Sequence, residues 1–103
     1  MHDTVLAAAL ELTAAMRAAA DGDAWDTVAM LASQRHVHLE AALRGDAWCQ
    51  APDVVGSLRR ILAIDQQLAM RATAARQQTA LALTGLRSAS RMQDAYTAHG
   101  AAG

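Results

Sequence analysis

The sequence contains no lysine and no phenylalanine, and it has only one cysteine, one proline and one tyrosine among its 103 residues. A single cysteine excludes an intrachain disulfide and fits a reducing cytoplasm. Helix-breaking residues are scarce and alanine occupies 27 positions, so the composition favours α-helix along nearly the whole chain. We therefore predict an all-α fold and exclude a sheet protein.

Long apolar runs are also missing. A transmembrane helix needs roughly 18 consecutive apolar residues, and no stretch of the sequence approaches that length. The first residues carry no basic region ahead of their short apolar run, which argues against a secretory signal. We expect a cytoplasmic protein without stable insertion into a membrane.

Charge is divided unevenly along the chain. Residues 1–53 contain three arginines and eight acidic residues, a net charge of −5, whereas residues 54–103 contain six arginines and two acidic residues, a net charge of +4. The overall charge is only −1. A nucleic-acid-binding domain is usually basic overall, with its cations clustered on one face. We expect no nucleic-acid partner.

Hydrophobic periodicity predicts three helices, at about 4–20, 24–44 and 54–98. The acidic, glycine-containing segment 21–23 predicts a tight turn in which Asp23 caps the second helix. Residues 45–53 form the predicted loop, and Asp53 is expected to cap the third helix. We expect one domain over residues 1–99 and a frayed tail at 100–103.

Each predicted helix has an apolar stripe with alternating spacings of three and four residues, which is typical of a helical bundle. The first stripe is Val5, Ala9, Leu12, Met16 and Ala19. The second is Trp25, Val28, Ala32, Arg35, Leu39 and Ala42. The third is Leu58, Ile61, Asp65, Leu68, Ala72, Ala75, Thr79, Ala82 and Leu86. The stripes predict an antiparallel hairpin packed on a long third helix, as a three- or four-helix bundle.

The third helix is too long for its partners. At 1.5 Å per residue it spans roughly 68 Å, whereas the second spans roughly 31 Å. Beyond about Arg76, large apolar side chains therefore lack an obvious cover within the chain. Either the helix breaks near Gly85 and folds back as a fourth helix, or a second molecule covers it. We favour a second molecule, as in a homodimer, because a single glycine costs only about 1 kcal/mol in a helix.

Catalytic and metal-binding signals are weak. His36 and His38 are two residues apart, so on a helix they point about 200° away from each other and cannot hold one ion together. Cys49 has no basic residue beside it in the sequence and no oxyanion motif accompanies it. We expect no metal, no cofactor and no catalytic residue.

The face of the third helix opposite its stripe is also apolar. Met70, Leu81 and Met92 are spaced by eleven residues, which keeps them in one lane of a nearly straight helix. A helix that is apolar on two sides is either buried on both or awaits a partner. Methionine is frequent on surfaces that accept varied apolar ligands, but single exposed apolar residues are also normal on protein surfaces. Both interpretations stay open.

One stretch has an enzymatic counterpart. Residues 58–68 resemble the first helix of the helical chorismate mutases, and Arg76 and Arg87 continue the cationic spacing that holds a dicarboxylate substrate there. Arg87 stands where that family usually has lysine, and the active-site residues that the family takes from later helices have no counterpart here. A chorismate mutase-like enzyme is therefore an alternative, and so is a plain dimeric helical scaffold.

A second resemblance covers about residues 5–97. Its first part is Asp21-Gly22-Asp23-Ala24-Trp25-Asp26-Thr27-Val28-x-x-Leu31-x-x-x-Arg35-x-x-x-Leu39. Its second is Leu58-Arg59-Arg60-Ile61-Leu62-Ala63-Ile64-Asp65-Gln66-Gln67-Leu68, and its third is Leu83-x-x-Leu86-Arg87-x-x-x-Arg91-x-x-x-x-Tyr96. Each part is helix patterning with a few fixed polar residues. In this order and total length, they resemble the FliT family of flagellar type III export chaperones.

The resemblance implies a cytosolic chaperone that binds the C-terminal helical segment of the filament-cap protein FliD before export. It also implies contacts with the export ATPase FliI, the export gate FlhA and the regulator FlhDC. Such a chaperone needs only an apolar groove that a client helix can enter. Our candidate partner-binding residues are Leu62, Met70, Leu81 and Met92, with Arg59 and Arg76 as charged guides and Leu31 and His38 from the second helix.

Overall fold

The computed structural model describes residues 2–102, and the side chains of residues 6–99. The helices are α1 (His2–Asp21), α2 (Trp25–Ala42) and α3 (Pro52–Ala102), with a short 3₁₀ turn at Ala47–Gln50. The described residues contain no strand, so the predicted all-α fold, a helical hairpin packed on a long helix, is confirmed. The helix α3 continues through Gly85 to Ala102, and it does not fold back as a fourth helix.

The turn between α1 and α2 differs from the prediction. Asp23 has a φ of 56°, and its N–H donates to the Ala20 carbonyl at 3.0 Å while the Ala24 N–H donates to the Ala19 carbonyl at 2.9 Å. This pair of bonds is the Schellman ending of a helix, which requires a residue in the left-handed region. Asp23 therefore closes α1. The N-cap of α2 is Ala24, which has no side-chain cap, so the predicted cap by Asp23 is wrong.

The start of α3 also lies earlier than predicted. Pro52 is its first residue and Asp53 lies inside its first turn, so Asp53 is not the N-cap that we expected. The Val55 N–H donates to the Ala51 carbonyl at 3.1 Å. Proline fits the first turn of a helix because its missing N–H would have no partner there. Asp53 favours the helix start through its charge near the positive end of the helix dipole.

The chain divides into an N-terminal unit, Met1–Arg71, and a C-terminal unit, Ala72–Gly103. The N-terminal unit has two apolar clusters contributed by all three helices. The first contains Leu6, Ala9, Val54 and Ile61, and the second contains Met16, Ala20 and Leu68. In both, partly buried side chains of α2 pack against residues of α1 and α3.

The buried stripe of α1 is displaced from the predicted one. The buried side chains are Leu6, Ala9, Thr13, Met16 and Ala20. Leu12 and Ala19, which the apolar pattern placed in the stripe, are only partly buried, and the side chain of Val5 lies outside the described residues. Thr13 is accepted in the core because its hydroxyl donates to the Ala9 carbonyl at 2.8 Å, and a buried hydroxyl with partners carries little penalty.

The predicted stripe of α2 is confirmed, and that of α3 holds as far as Ala75, which is partly buried like Ala72. All six stripe residues of α2 are buried or partly buried. In α3, Ile61 and Leu68 are buried and Asp65 is partly buried. Thr79, Ala82 and Leu86 are exposed. The alternating pattern of α3 therefore describes a packed stripe only where α1 and α2 lie against it.

Candidate partner-binding surfaces

The polar centre of the N-terminal unit fixes which face of α3 is buried. Arg35 of α2 is 8% exposed and donates through Nη1 to Asp65 Oδ1 at 2.8 Å and through Nη2 to Asp65 Oδ2 at 2.7 Å. Its Nη1 also donates to Thr13 Oγ1 at 3.0 Å. One guanidinium therefore joins α1, α2 and α3. Along each helix, the residue that takes part in this network lies between the members of the two apolar clusters.

A second ion pair lies near the end of the N-terminal unit. Arg71 Nη2 of α3 lies 2.9 Å from Asp21 Oδ1 at the end of α1. Both side chains are substantially exposed, so this pair contributes little stability. It is a second polar contact between α1 and α3 within the N-terminal unit.

Two large apolar side chains of α3 are exposed on the surface of the N-terminal unit. Leu62 is 58% exposed and Met70 is 75% exposed. Met70 follows the buried Leu68 by two residues, which is about 200° around a helix. Met70 is the first of the three residues, Met70, Leu81 and Met92, in the lane that the sequence predicts to be buried or to await a partner.

The C-terminal unit has no buried side chain among its described residues. Every side chain from residue 76 to residue 99 is exposed. The large apolar ones are Leu81, Leu83, Leu86, Met92 and Tyr96, with exposures from 47% at Leu83 to 82% at Tyr96. Exposed apolar surface can mark a binding site, so these five side chains are candidate contacts for a partner.

The predicted site residues are thus divided between the units. In the N-terminal unit, Arg59, Leu62 and Met70 are exposed on α3. In the C-terminal unit, Arg76, Leu81 and Met92 are exposed. Each unit therefore has two of the four apolar candidates and one of the two arginines.

The two candidates on α2 have different surroundings. Leu31 is partly buried and packs against the cluster of Met16, Ala20 and Leu68, so it belongs to the core of the N-terminal unit. His38 is half-buried. Neither residue presents an exposed apolar surface of the kind that Met70 presents.

Sequence reasoning missed the network of Thr13, Arg35 and Asp65. The sequence contained an indication of this network, because Arg35 and Asp65 are the charged members of otherwise mostly apolar stripes. A charged side chain at a core position is expected to have an oppositely charged partner. Pairing the two stripes by this rule would have predicted the contact between α2 and α3.

Possible metal ligands are not clustered in the described part of the chain. It holds no group of three or more His, Cys, Asp or Glu side chains that could bind a metal ion. His36 Nε2 lies 3.5 Å from Glu40 Oε1, and both side chains are about 70% exposed. A surface depression is lined by His36, Leu39, Glu40, Leu43 and Arg44. It includes none of the arginines that the chorismate mutase resemblance would use.

Among the described residues, none of the helices has an apolar stretch sufficient to span a bilayer. The family model of the flagellar protein FliT matches residues 4–98. No curated protein and no solved structure matches the chain. The family match includes the whole of α2, and α1 and α3 without their outer ends. The chain belongs to the FliT family of flagellar proteins, a family of flagellar export chaperones.

Proposed function

We propose that this protein is a cytosolic export chaperone that binds the C-terminal helical segment of the filament-cap protein FliD before type III secretion. The observation that carries the proposal is the set of large apolar side chains exposed on α3, represented by Met70 in the N-terminal unit and Met92 in the C-terminal unit. Membership of the FliT family supports the export-chaperone part of the proposal.

The mechanism is binding without covalent chemistry. An amphipathic client helix buries its apolar face against exposed apolar side chains, read as anchors at helical spacing. Burial of apolar area contributes about 25 cal/mol per Å², so each well-covered methionine or leucine stabilises the complex appreciably. Methionine suits this role because its flexible side chain adapts to different partner surfaces. The client segment is kept from pairing with other apolar surfaces until export.

The roles of the candidate residues follow from their exposure. Leu62, Met70, Leu81 and Met92 are proposed as apolar anchors because each is more than half exposed. Arg59 and Arg76 are proposed as charged guides that orient the client, and His38 as a polar contact. Leu31 is proposed to act indirectly. It packs against the cluster of Met16, Ala20 and Leu68 and so supports α3 from within the core.

Further partners belong to the same proposal. We propose the export ATPase FliI, the export gate FlhA and the regulator FlhDC as proteins that this chaperone contacts. We also propose a homodimer for the chaperone without its client, because a second copy is one way to cover exposed apolar side chains of α3 until a client helix replaces it.

Isothermal titration of the full chain with the C-terminal helical segment of FliD from the same genome tests the proposal. We expect saturable binding with a Kd at or below about 1 µM, or about −8 kcal/mol. If a soluble segment and a folded protein give no binding heat, the FliD assignment is wrong. Light scattering of the protein alone then tests whether α3 serves self-association instead.

A further inference from the structure

The C-terminal unit has its positive charges along one edge of its helix. Its charged side chains in the described range are Arg76, Arg87, Arg91 and Asp94. At about 100° per residue, the three arginines fall within about 60° of one another around the helix axis. Asp94 lies in the same sector, so this edge has three arginines and one carboxylate, a net charge of +2. They extend over about 22 Å of its length, since Arg76 and Arg91 are fifteen residues apart.

The large apolar side chains lie next to this basic edge. They are Leu81, Leu83, Leu86, Met92 and Tyr96, all exposed. Around the helix axis they cover an arc of about 200°. One border of this arc is Leu83, which lies about 20° from Arg76. The other border of the arc contains the neutral residues Gln77 and Ser88. The surface is thus an arc of large apolar side chains interspersed with glutamines and threonines, and its charged residues, with a net charge of +2, lie near one border.

Within the part of the chain whose side chains are described, the arginines of this edge form no ion pair. The ion pairs among the described residues are Arg35–Asp65, His36–Glu40 and Arg71–Asp21. None includes an arginine of the C-terminal unit, and the side-chain hydrogen bonds of that unit join threonines to backbone carbonyls. The three guanidinium groups therefore keep their donors available for carboxylates of another molecule.

We propose that the C-terminal unit binds an amphipathic helix whose apolar face has Asp or Glu residues along one edge. The inference rests on the proposed function and specifies the chemistry of the helix that this part of α3 receives. Complementary charges select the partner and fix its orientation, while the apolar arc supplies most of the affinity. A second C-terminal unit is a poorer occupant, since its charged edge has the same net charge of +2 and would bring like charges together.

Two designed helical peptides with the same leucine and alanine face test this proposal. One has Glu and the other Lys along a single edge of that face, and each is titrated into the full chain by fluorescence anisotropy. We expect the Glu peptide to bind about tenfold more tightly at low ionic strength. We expect the difference to shrink to about twofold at ~0.5 M salt, because exposed charges are screened.

The substitutions Arg76→Gln, Arg87→Gln and Arg91→Gln, made together, are expected to abolish the preference for the Glu peptide. The matched control is Arg17→Gln, Arg44→Gln and Arg60→Gln, which removes the same charge from exposed positions of the N-terminal unit. The control is expected to keep at least half of the tenfold preference. Circular dichroism of both variants verifies that they are folded.

Three results would overturn the proposal. The first is equal binding of the two peptides, and the second is equal loss of preference in both triple variants. The third is a dimer, seen by light scattering, that covers the apolar arc and excludes both peptides. A failure of FliD to bind, together with arginine-dependent binding of the Glu peptide, would reject the proposed client but keep this inference. Binding of FliD together with equal binding of the Glu and Lys peptides would keep the proposed client and reject this inference.

Discussion

Arg35 and Asp65 form a two-point ion pair between α2 and α3, with N–O distances of 2.8 and 2.7 Å. The parallel donors of a guanidinium match the two oxygens of a carboxylate, so the pair fixes direction as well as distance. Arg35 also reaches Thr13 of α1. In a core whose buried apolar side chains include several alanines, this network sets the register of three helices that apolar packing alone would specify weakly.

Removal of the carboxylate should destabilise the fold. Asp65→Asn leaves a buried guanidinium without its counter-charge, and we expect a loss of about 2 kcal/mol in the free energy of unfolding. Water reaching the partly exposed carboxylate position keeps the loss below that of a fully buried pair. Urea unfolding followed by circular dichroism measures it. Asp94→Asn, an exposed position on the same helix, is the control, and equal midpoints for both variants would contradict the assigned role.

The hydroxyl of Thr13 should be coupled energetically to Arg35. Thr13→Val keeps the shape of the side chain but removes the acceptor for Arg35, and we expect a loss of about 1–2 kcal/mol. In an Arg35→Met, Asp65→Leu background, the same substitution should cost about 1 kcal/mol less, because the donor is already absent. A double-mutant cycle from urea unfolding gives the coupling. Additive losses would show that the 3.0 Å contact contributes no stability.

Truncation of two leucines of α3 should cost very different amounts of stability. Leu68→Ala creates a cavity in the core and should cost about 3 kcal/mol, since Leu68 is 5% exposed. Leu62→Ala should cost less than about 0.5 kcal/mol, since Leu62 is 58% exposed. Thermal and urea unfolding measure both. Similar losses for the two variants would mean that the face carrying Leu62 is packed against something.

A charge on the exposed side of α3 should weaken client binding without unfolding the protein. Met70→Asp is expected to raise the Kd for the FliD segment at least about tenfold, equivalent to 1.4 kcal/mol, with an unchanged far-UV circular dichroism spectrum. Met30→Asp is the matched control, because Met30 is an exposed methionine on α2. It should bind as the parent does. Parental affinity of Met70→Asp would show that the client does not contact this position.

Two glycines should give opposite results when replaced by alanine. Gly85 lies within α3 and a Cβ added there meets nothing within 4 Å, so Gly85→Ala should stabilise the local helix by about 0.5–1 kcal/mol. Gly45 has a φ of +73°, and Gly45→Ala should destabilise the protein by about 1 kcal/mol. Amide hydrogen exchange around residue 85 and urea unfolding measure the two effects. Slower exchange is expected for Gly85→Ala, and unchanged exchange would contradict it.

The sequence by itself determined the helical architecture. Abundant alanine and few breakers specify helices locally, and the stripe of α2 was predictable because its spacing follows helical geometry alone. The continuity of α3 through Gly85 also follows from local energetics, since one glycine costs less than the surrounding helix formers contribute. The exposed lane containing Met70 and Met92 was visible from its spacing.

Tertiary structure decided which positions of those helices are core. Apolar periodicity favoured Leu12 for α1, but the buried residue is Thr13, because its hydroxyl meets Arg35 from another helix. The same periodicity continued along α3 to Leu86, yet burial requires covering helices, and Leu86 is 68% exposed. Asp23 closes α1 rather than opening α2 because its φ is positive. Local sequence fixes hydrogen bonds within a helix, whereas burial and charge pairing depend on residues distant in the chain.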